Sequence, residues 1–155
     1  MEPTGLSKSV LGCGRYAPAM PIRRRVLLLL FVAWSAFVWG NRISNTLRSD
    51  ESTGAKTFST VLSIIVLLFA LAVLIVTIRA WRTGIGDAGG TVLVSAAVVT
   101  ILVWLVRVPQ ILLADHGAPF KIVHVLLGVV SIVLAVPVAR LGAAARRAAR
   151  PRPPI

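Results

Sequence analysis

From Thr91 to Leu113 the chain reads TVLVSAAVVTILVWLVRVPQILL, and its one charge is Arg107. A run this long and this apolar is satisfied by a helix through lipid, where each backbone N–H and C=O finds its partner inside the segment. Three other runs have the same character, so the sequence predicts helices at about residues 24–47, 57–78, 91–113 and 120–139, each near the length needed to cross hydrocarbon. The first is the shortest in strictly apolar terms, which requires Arg42 to extend outward along its stem. No run alternates polar and apolar residues as a barrel strand must. The expected fold class is therefore all-α, a four-helix transmembrane bundle over residues 23–140.

Composition agrees with this expectation. Of 155 residues, 57% are hydrophobic and 14% charged, with a mean hydropathy of +0.87. A soluble domain of this size needs more charge to cover its surface. The net charge of +12 suggests nucleic acid only until the basic residues are located. They lie beside apolar runs, with no aromatic-plus-basic RNA motif, which points to lipid phosphates and excludes nucleic acid as a partner. Fourteen Arg against three Lys, with abundant Ala, Val and Leu, fit a GC-rich genome. Cys13 has no second cysteine to pair with, and it precedes the first apolar run where a lipoprotein site would follow one.

Residues 1–22 mix Gly, Pro, Ser and isolated charges and are expected to form a disordered tail. Met20, directly before PIRRRVLLLLF, is an alternative start to Met1. Arg23–Arg25 ahead of an apolar stretch also has the form of a signal peptide, but bulky Phe37 and Trp39 carry the stretch past the small residues around Ser35, favouring a retained helix. The segment Thr83–Gly90, TGIGDAGG, follows no strand and ends in no GK[ST], so it reads as a helix connection and not a phosphate loop. Residues 141–155, rich in Arg and Ala, are expected to form a basic tail able to lie on anionic lipid. Twelve basic residues gather with the two termini and the Gly-rich turn, against five (Arg42, Arg48, Lys56, Arg107, Lys121) on the other side. By the positive-inside rule both termini belong in the cytoplasm of a multi-pass plasma-membrane protein.

The two halves look alike. FVWGNR (Phe37–Arg42) and LVWLVR (Leu102–Arg107) each carry Val-Trp and then Arg three residues after the Trp. Thr57-Phe58 and Pro119-Phe120 open the helices that follow, and Arg79 and Arg140 close them. The reading is one duplicated hairpin; two spans per unit keep the copies parallel. Pro119-Phe120, His124, Leu127 and Ser131, with Trp104 upstream, resemble a [TP]-F-x-x-x-H-x-x-L-x-x-x-S pattern of uncharacterised small integral membrane proteins of actinobacteria. The resemblance covers mainly the second hairpin and implies topology alone. The first hairpin lacks the histidine, with Leu62 or Ser63 in its place.

Candidate chemistry gathers where the third helix meets the fourth. Antiparallel packing there brings Arg107, Asp115, His116, Lys121 and His124 toward one outer-leaflet polar site, suited to a lipid phosphate, an anionic substrate or a carboxylate. Trp39, Arg42 and Trp104 read as interfacial anchors, aromatic and basic residues at headgroup level. Ala36, Gly40, Gly128, Ser131 and Ala135 read as helix-packing positions, since small residues let backbones approach. Pro109 is expected to kink the third helix. Two histidines eight residues apart, one of them in a loop, make a poor haem pair. Zinc lacks ligands, and no Ser–His–Asp spacing stands out, so no cofactor, metal or catalytic residue is assigned. The expected function is that of a non-enzymatic accessory or interaction subunit of the cell envelope. Its expected partners are the bilayer, anionic headgroups, and a second membrane protein or a second copy. The alternative is a small transporter or a lipid- or anion-binding protein using the Arg/His site.

Overall fold

The computed structural model describes residues 20–50 and 52–150; the readings made for residues 1–19, Cys13 among them, and for 151–155 lie outside them. Four helices account for nearly all of the described chain: α1 (Ile22–Arg48), α2 (Thr53–Thr83), α3 (Asp87–Leu113) and α4 (Ala118–Ala149). All four are long and apolar enough to cross a membrane, and no strand occurs among the described residues. This is an all-α integral membrane bundle.

The ends of the helices follow from local chemistry. Ser52 caps α2, its hydroxyl accepting from the Ala55 N–H at 3.4 Å, and Pro119 occupies the first turn of α4, where a missing N–H costs nothing. Gly84 ends α2 with φ 73°, the left-handed backbone that favours glycine. The expected connection at 83–90 shrinks to Gly84–Gly86, because Asp87 already sits in the first turn of α3, where an acid complements the helix dipole. Helix α4 continues past residue 139 to Ala149. Arg140–Ala149 contains no proline and, Gly142 apart, consists of strong helix formers, so most of the basic tail extends α4 instead of forming a separate surface helix. Helix α3 runs on through Pro109, and α4 through Pro137.

The four helices form a square. α1 packs beside α2 and α4, α3 beside α2 and α4, and the pairs α1–α3 and α2–α4 face each other only across diagonals. Links 49–52 and 114–117 share one end, the link end; Ile22, the Gly84–Gly86 turn and Ala149 share the other, the basic end.

The duplication is now explicit. Ile22 and Arg48 bound α1, Asp87 and Leu113 bound α3, and α2 and α4 open at Thr53 and Ala118, so every one of these pairs is 65 residues apart. At that spacing, with no gap, Val38 pairs with Val103, Trp39 with Trp104, Arg42 with Arg107, Asp50 with Asp115, Lys56 with Lys121 and Arg82 with Arg147. Burial follows the same register: Leu28 and Leu93, Ala70 and Ala135, and Val73 and Val138 are buried in both copies. The correspondence expected within the second helix of each hairpin is corrected. Phe58 matches Val123 and Arg79 matches Ala144, while His124 has its counterpart in Ser59, not in Leu62 or Ser63. The Phe and Arg landmarks misled because apolar helices align with one another at several registers.

Two apolar clusters fill the interior. One, toward the basic end, centres on Leu28, Phe31, Val73, Leu93, Ala135 and Val138. The other, toward the link end, holds Val38, Trp39, Val66 and Trp104. In the first, α3 and α4 come into backbone contact: a Cβ placed on Gly142 would lie 2.6 Å from the Gly90 carbonyl oxygen. Farther along, the Trp34 indole N–H of α1 donates to Ser131 Oγ of α4 at 2.9 Å, and Thr46 and Ser59 hydroxyls meet at 3.1 Å between α1 and α2.

The helix-packing expectations divide. Gly128, Ser131 and Ala135 are buried, and Gly128 leaves room for the Trp104 ring, since a Cβ there would stand 2.9 Å from Cε3. Ala36 and Gly40 face outward, with nothing within 4 Å of a Cβ on Gly40. The inward face of α1 is instead the stripe Leu28, Phe31, Ser35 and Trp39, which turns the small residues toward lipid.

Candidate functional site

At the link end the square does not close. A cavity of about 510 Å³ opens between α1, α3 and α4, with polar walls supplied by Arg42, Asn45 and Thr46 of α1, Arg107 of α3 and His124 of α4. Its floor is the pair Trp39 and Trp104, whose ring centroids are 6.3 Å apart at 54°. The volume falls within the range of small-ligand sites, roughly 300–1,000 Å³.

The register explains why these side chains meet. Trp and Arg three positions apart share one helical face, and the duplication writes that pair on α1 and again on α3. Those helices are diagonal, so both inward faces look across the middle of the bundle. Arg42 and Arg107 are each six residues from the end of their helix, about 9 Å of rise below the links. Trp39 and Trp104 are only 3% and 5% exposed, which corrects their assignment as interfacial anchors: an anchor presents its ring to headgroups, and these rings pack on each other. Arg42 also departs from the anchor role, being half-buried on the cavity wall.

Electrostatically the cavity is one-sided. Among the described residues two arginines line it and no carboxylate does. Arg42 Nε, Arg107 Nε and Trp104 Nε1 are buried without a hydrogen-bond acceptor among the described residues. A buried donor left unpaired costs about 1–3 kcal/mol, and all three of these belong to residues that line the cavity. His124 Nδ1 lies 2.8 Å from the Phe120 carbonyl oxygen. A carbonyl can only accept, so Nδ1 carries the proton and Nε2 is an acceptor in the neutral ring, becoming a second donor only on protonation. The imidazole is further held by Phe120, 3.9 Å away between centroids.

The other expected members of the polar site lie apart. Asp115 and His116 are exposed in the link and do not line the cavity, His116 resting against Phe120 at 4.6 Å. Lys121 reaches the other way, donating to the Leu112 carbonyl at 2.9 Å, where a cation favours the C-terminal end of α3. A short link makes residues neighbours in space without turning them to one face. Arg42, absent from the expected site, is the residue the sequence reading missed; the repeated Val-Trp-x-x-Arg was the signal that could have found it. Among the described residues no cluster of His, Cys, Asp or Glu could hold a metal ion.

Compared with known protein families, curated proteins and solved structures, the chain matches none.

Proposed function

We propose that this four-helix membrane protein is a non-enzymatic accessory protein of the cell envelope whose own activity is to bind an anionic group in the link-end cavity. One observation carries the reading: the arginines and the tryptophan that line a single cavity have buried N–H groups with no acceptor among the described residues, and none of the described acids lines its wall. A phosphate or carboxylate offers the acceptor oxygens and the charge together, and charge-assisted bonds to guanidinium are the strong class of hydrogen bond. The connections of three or four residues between helices leave no space for a soluble catalytic domain, which supports a binding role over an enzymatic one. The distribution of arginine and lysine supports a plasma-membrane orientation with the basic end in the cytoplasm and the cavity in the outer leaflet.

The test is binding of inorganic phosphate and of glycerol phosphate to the purified chain in neutral detergent, read by the emission of the cavity tryptophans. Arg107→Leu and Arg42→Leu are expected to weaken binding at least about tenfold, equivalent to about 1.4 kcal/mol, while helix content is retained. Wild-type protein that binds no anion would overturn the reading.

A further inference from the structure

The cavity has a side door. On α1 its rim carries Phe37 and Asn41, and on α4 Phe120 and Val123; Phe37 is 59% exposed, Phe120 45% and Val123 52%. No residue of α2 lines it. Helices α1 and α4 are tied at mid-height by the bond from Trp34 to Ser131. Beyond that tie, toward the link end, both helices border the cavity, and each contributes exposed apolar side chains to its lining. A soluble anion would be served by a mouth toward water with polar lips. Asn45 and Ser49 line the cavity toward the links, while between α1 and α4 its exposed lining residues are mostly apolar: Phe37, Phe120 and Val123 against Asn41.

We infer that the occupant is an anionic phospholipid, its phosphate between Arg42 and Arg107 and its chain leaving sideways between α1 and α4 along Phe37 and Val123. The inference rests on the anion-binding reading above and names its ligand class. The guanidiniums meet the phosphate oxygens, and Trp39 and Trp104 form an apolar floor beneath the headgroup. Depth agrees: 27-residue helices exceed the ~20 residues that span hydrocarbon by about 5 Å at each end. The arginine backbones, about 9 Å below the helix ends, therefore lie about 4 Å inside the boundary, a distance the long side chain covers back to a phosphate. Phosphate chemistry is common to a lipid headgroup and to free phosphate, so the experiment has to separate these sources.

The full chain in phosphatidylcholine nanodiscs is offered long-chain phosphatidic acid as one arm and inorganic phosphate as the other, with retained lipid counted by native mass spectrometry after release. Each arm is repeated with Arg42→Gln, Arg107→Gln and Val123→Trp, the last filling the α1–α4 opening without touching the arginines. The lipid is expected to bind at least about tenfold tighter than inorganic phosphate, a gap of about 1.4 kcal/mol. Either arginine variant should lose both ligands, and Val123→Trp should lose the lipid while keeping the phosphate. Equal binding of lipid and phosphate, or lipid binding untouched by Val123→Trp, overturns the sideways lipid while leaving an anion site standing. Binding of neither ligand to wild type overturns both. The wild-type comparison between arms decides even where a variant fails to fold.

Discussion

The contact between Gly90 and Gly142 sets up a comparison of two chemically identical substitutions. In Gly142→Ala the new methyl would stand 2.6 Å from the Gly90 carbonyl oxygen, 2.9 Å from Leu93 Cβ and 3.0 Å from Val94 Cγ2. Two of those neighbours are a backbone oxygen and a Cβ, which cannot swing aside, so α3 and α4 must separate. Overpacking of this kind costs about 1–3 kcal/mol, against which a Gly-to-Ala change in a helix returns about 1 kcal/mol of intrinsic propensity. Gly40→Ala adds the same methyl to α1 where nothing lies within 4 Å, leaving only the favourable part. The two variants should therefore differ by about 2 kcal/mol, Gly142→Ala less stable than wild type and Gly40→Ala equal or more stable. Unfolding in mixed micelles, titrated with SDS and followed by far-UV circular dichroism, measures this directly. Variants within about 0.5 kcal/mol of each other, the ordinary scatter of surface changes, would refute the close crossing. Gly90→Ala probes the same contact from the other helix, so the double substitution should fall short of additivity.

Three other outcomes follow from the packing. Gly128→Val should push the Trp104 ring and Val108, which a Cβ already meets at 2.9 and 2.8 Å; a loss of about 1–3 kcal/mol is expected, with a shift in tryptophan emission that disappears in a Trp104→Phe background. Trp34→Phe removes the α1–α4 hydrogen bond and should cost about 0.6 kcal/mol and no more than about 1.7; a double-mutant cycle with Ser131→Ala that shows no coupling would mean the bond contributes nothing. Asp50→Cys and Ala149→Cys, each in a Cys13→Ser background, should react with an impermeant maleimide from opposite sides of the membrane, and labelling from one side would undo the four-span arrangement.

The fold was legible because lipid leaves so few solutions. Four apolar runs with polar links force helices, and short links force antiparallel neighbours, before any side chain is placed. Rotation about the helix axes was legible only in part: the small residues Gly128, Ser131 and Ala135 turned α4 correctly, while those of α1 did not. Hydrophobicity orients a helix in a soluble protein, but to an apolar membrane helix lipid and core look alike. Hence Ala36 and Gly40 were expected inside and lie outside, and Trp39 and Trp104 the reverse. The register of the repeat carried the missing information. Trp and Arg recurring at 65 residues, with Asp50 and Asp115 and Lys56 and Lys121 in step, fix which faces of α1 and α3 are equivalent. Asp115, His116 and Lys121 show the converse error, in which nearness along the chain was taken for convergence on one site.

Duplication also accounts for why like charges share a cavity. A single hairpin carrying one Trp-x-x-Arg face presents one guanidinium to lipid or water. Two parallel copies set the equivalent helices on a diagonal, and whatever lines the inner face of α1 is met by its own duplicate from α3. For Leu28 and Leu93 that self-meeting makes a core. For Arg42 and Arg107 it places two like charges around one low-dielectric space, an arrangement disfavoured by their repulsion and by their unpaired donors. The proposed anionic occupant, with its negative charge and several acceptor oxygens, would relieve both. The copies then diverge at the wall: Ser59 of α2 spends its hydroxyl on Thr46, while its counterpart His124 lines the cavity from α4. The symmetric pair of arginines thus opens toward one side only, between α1 and α4.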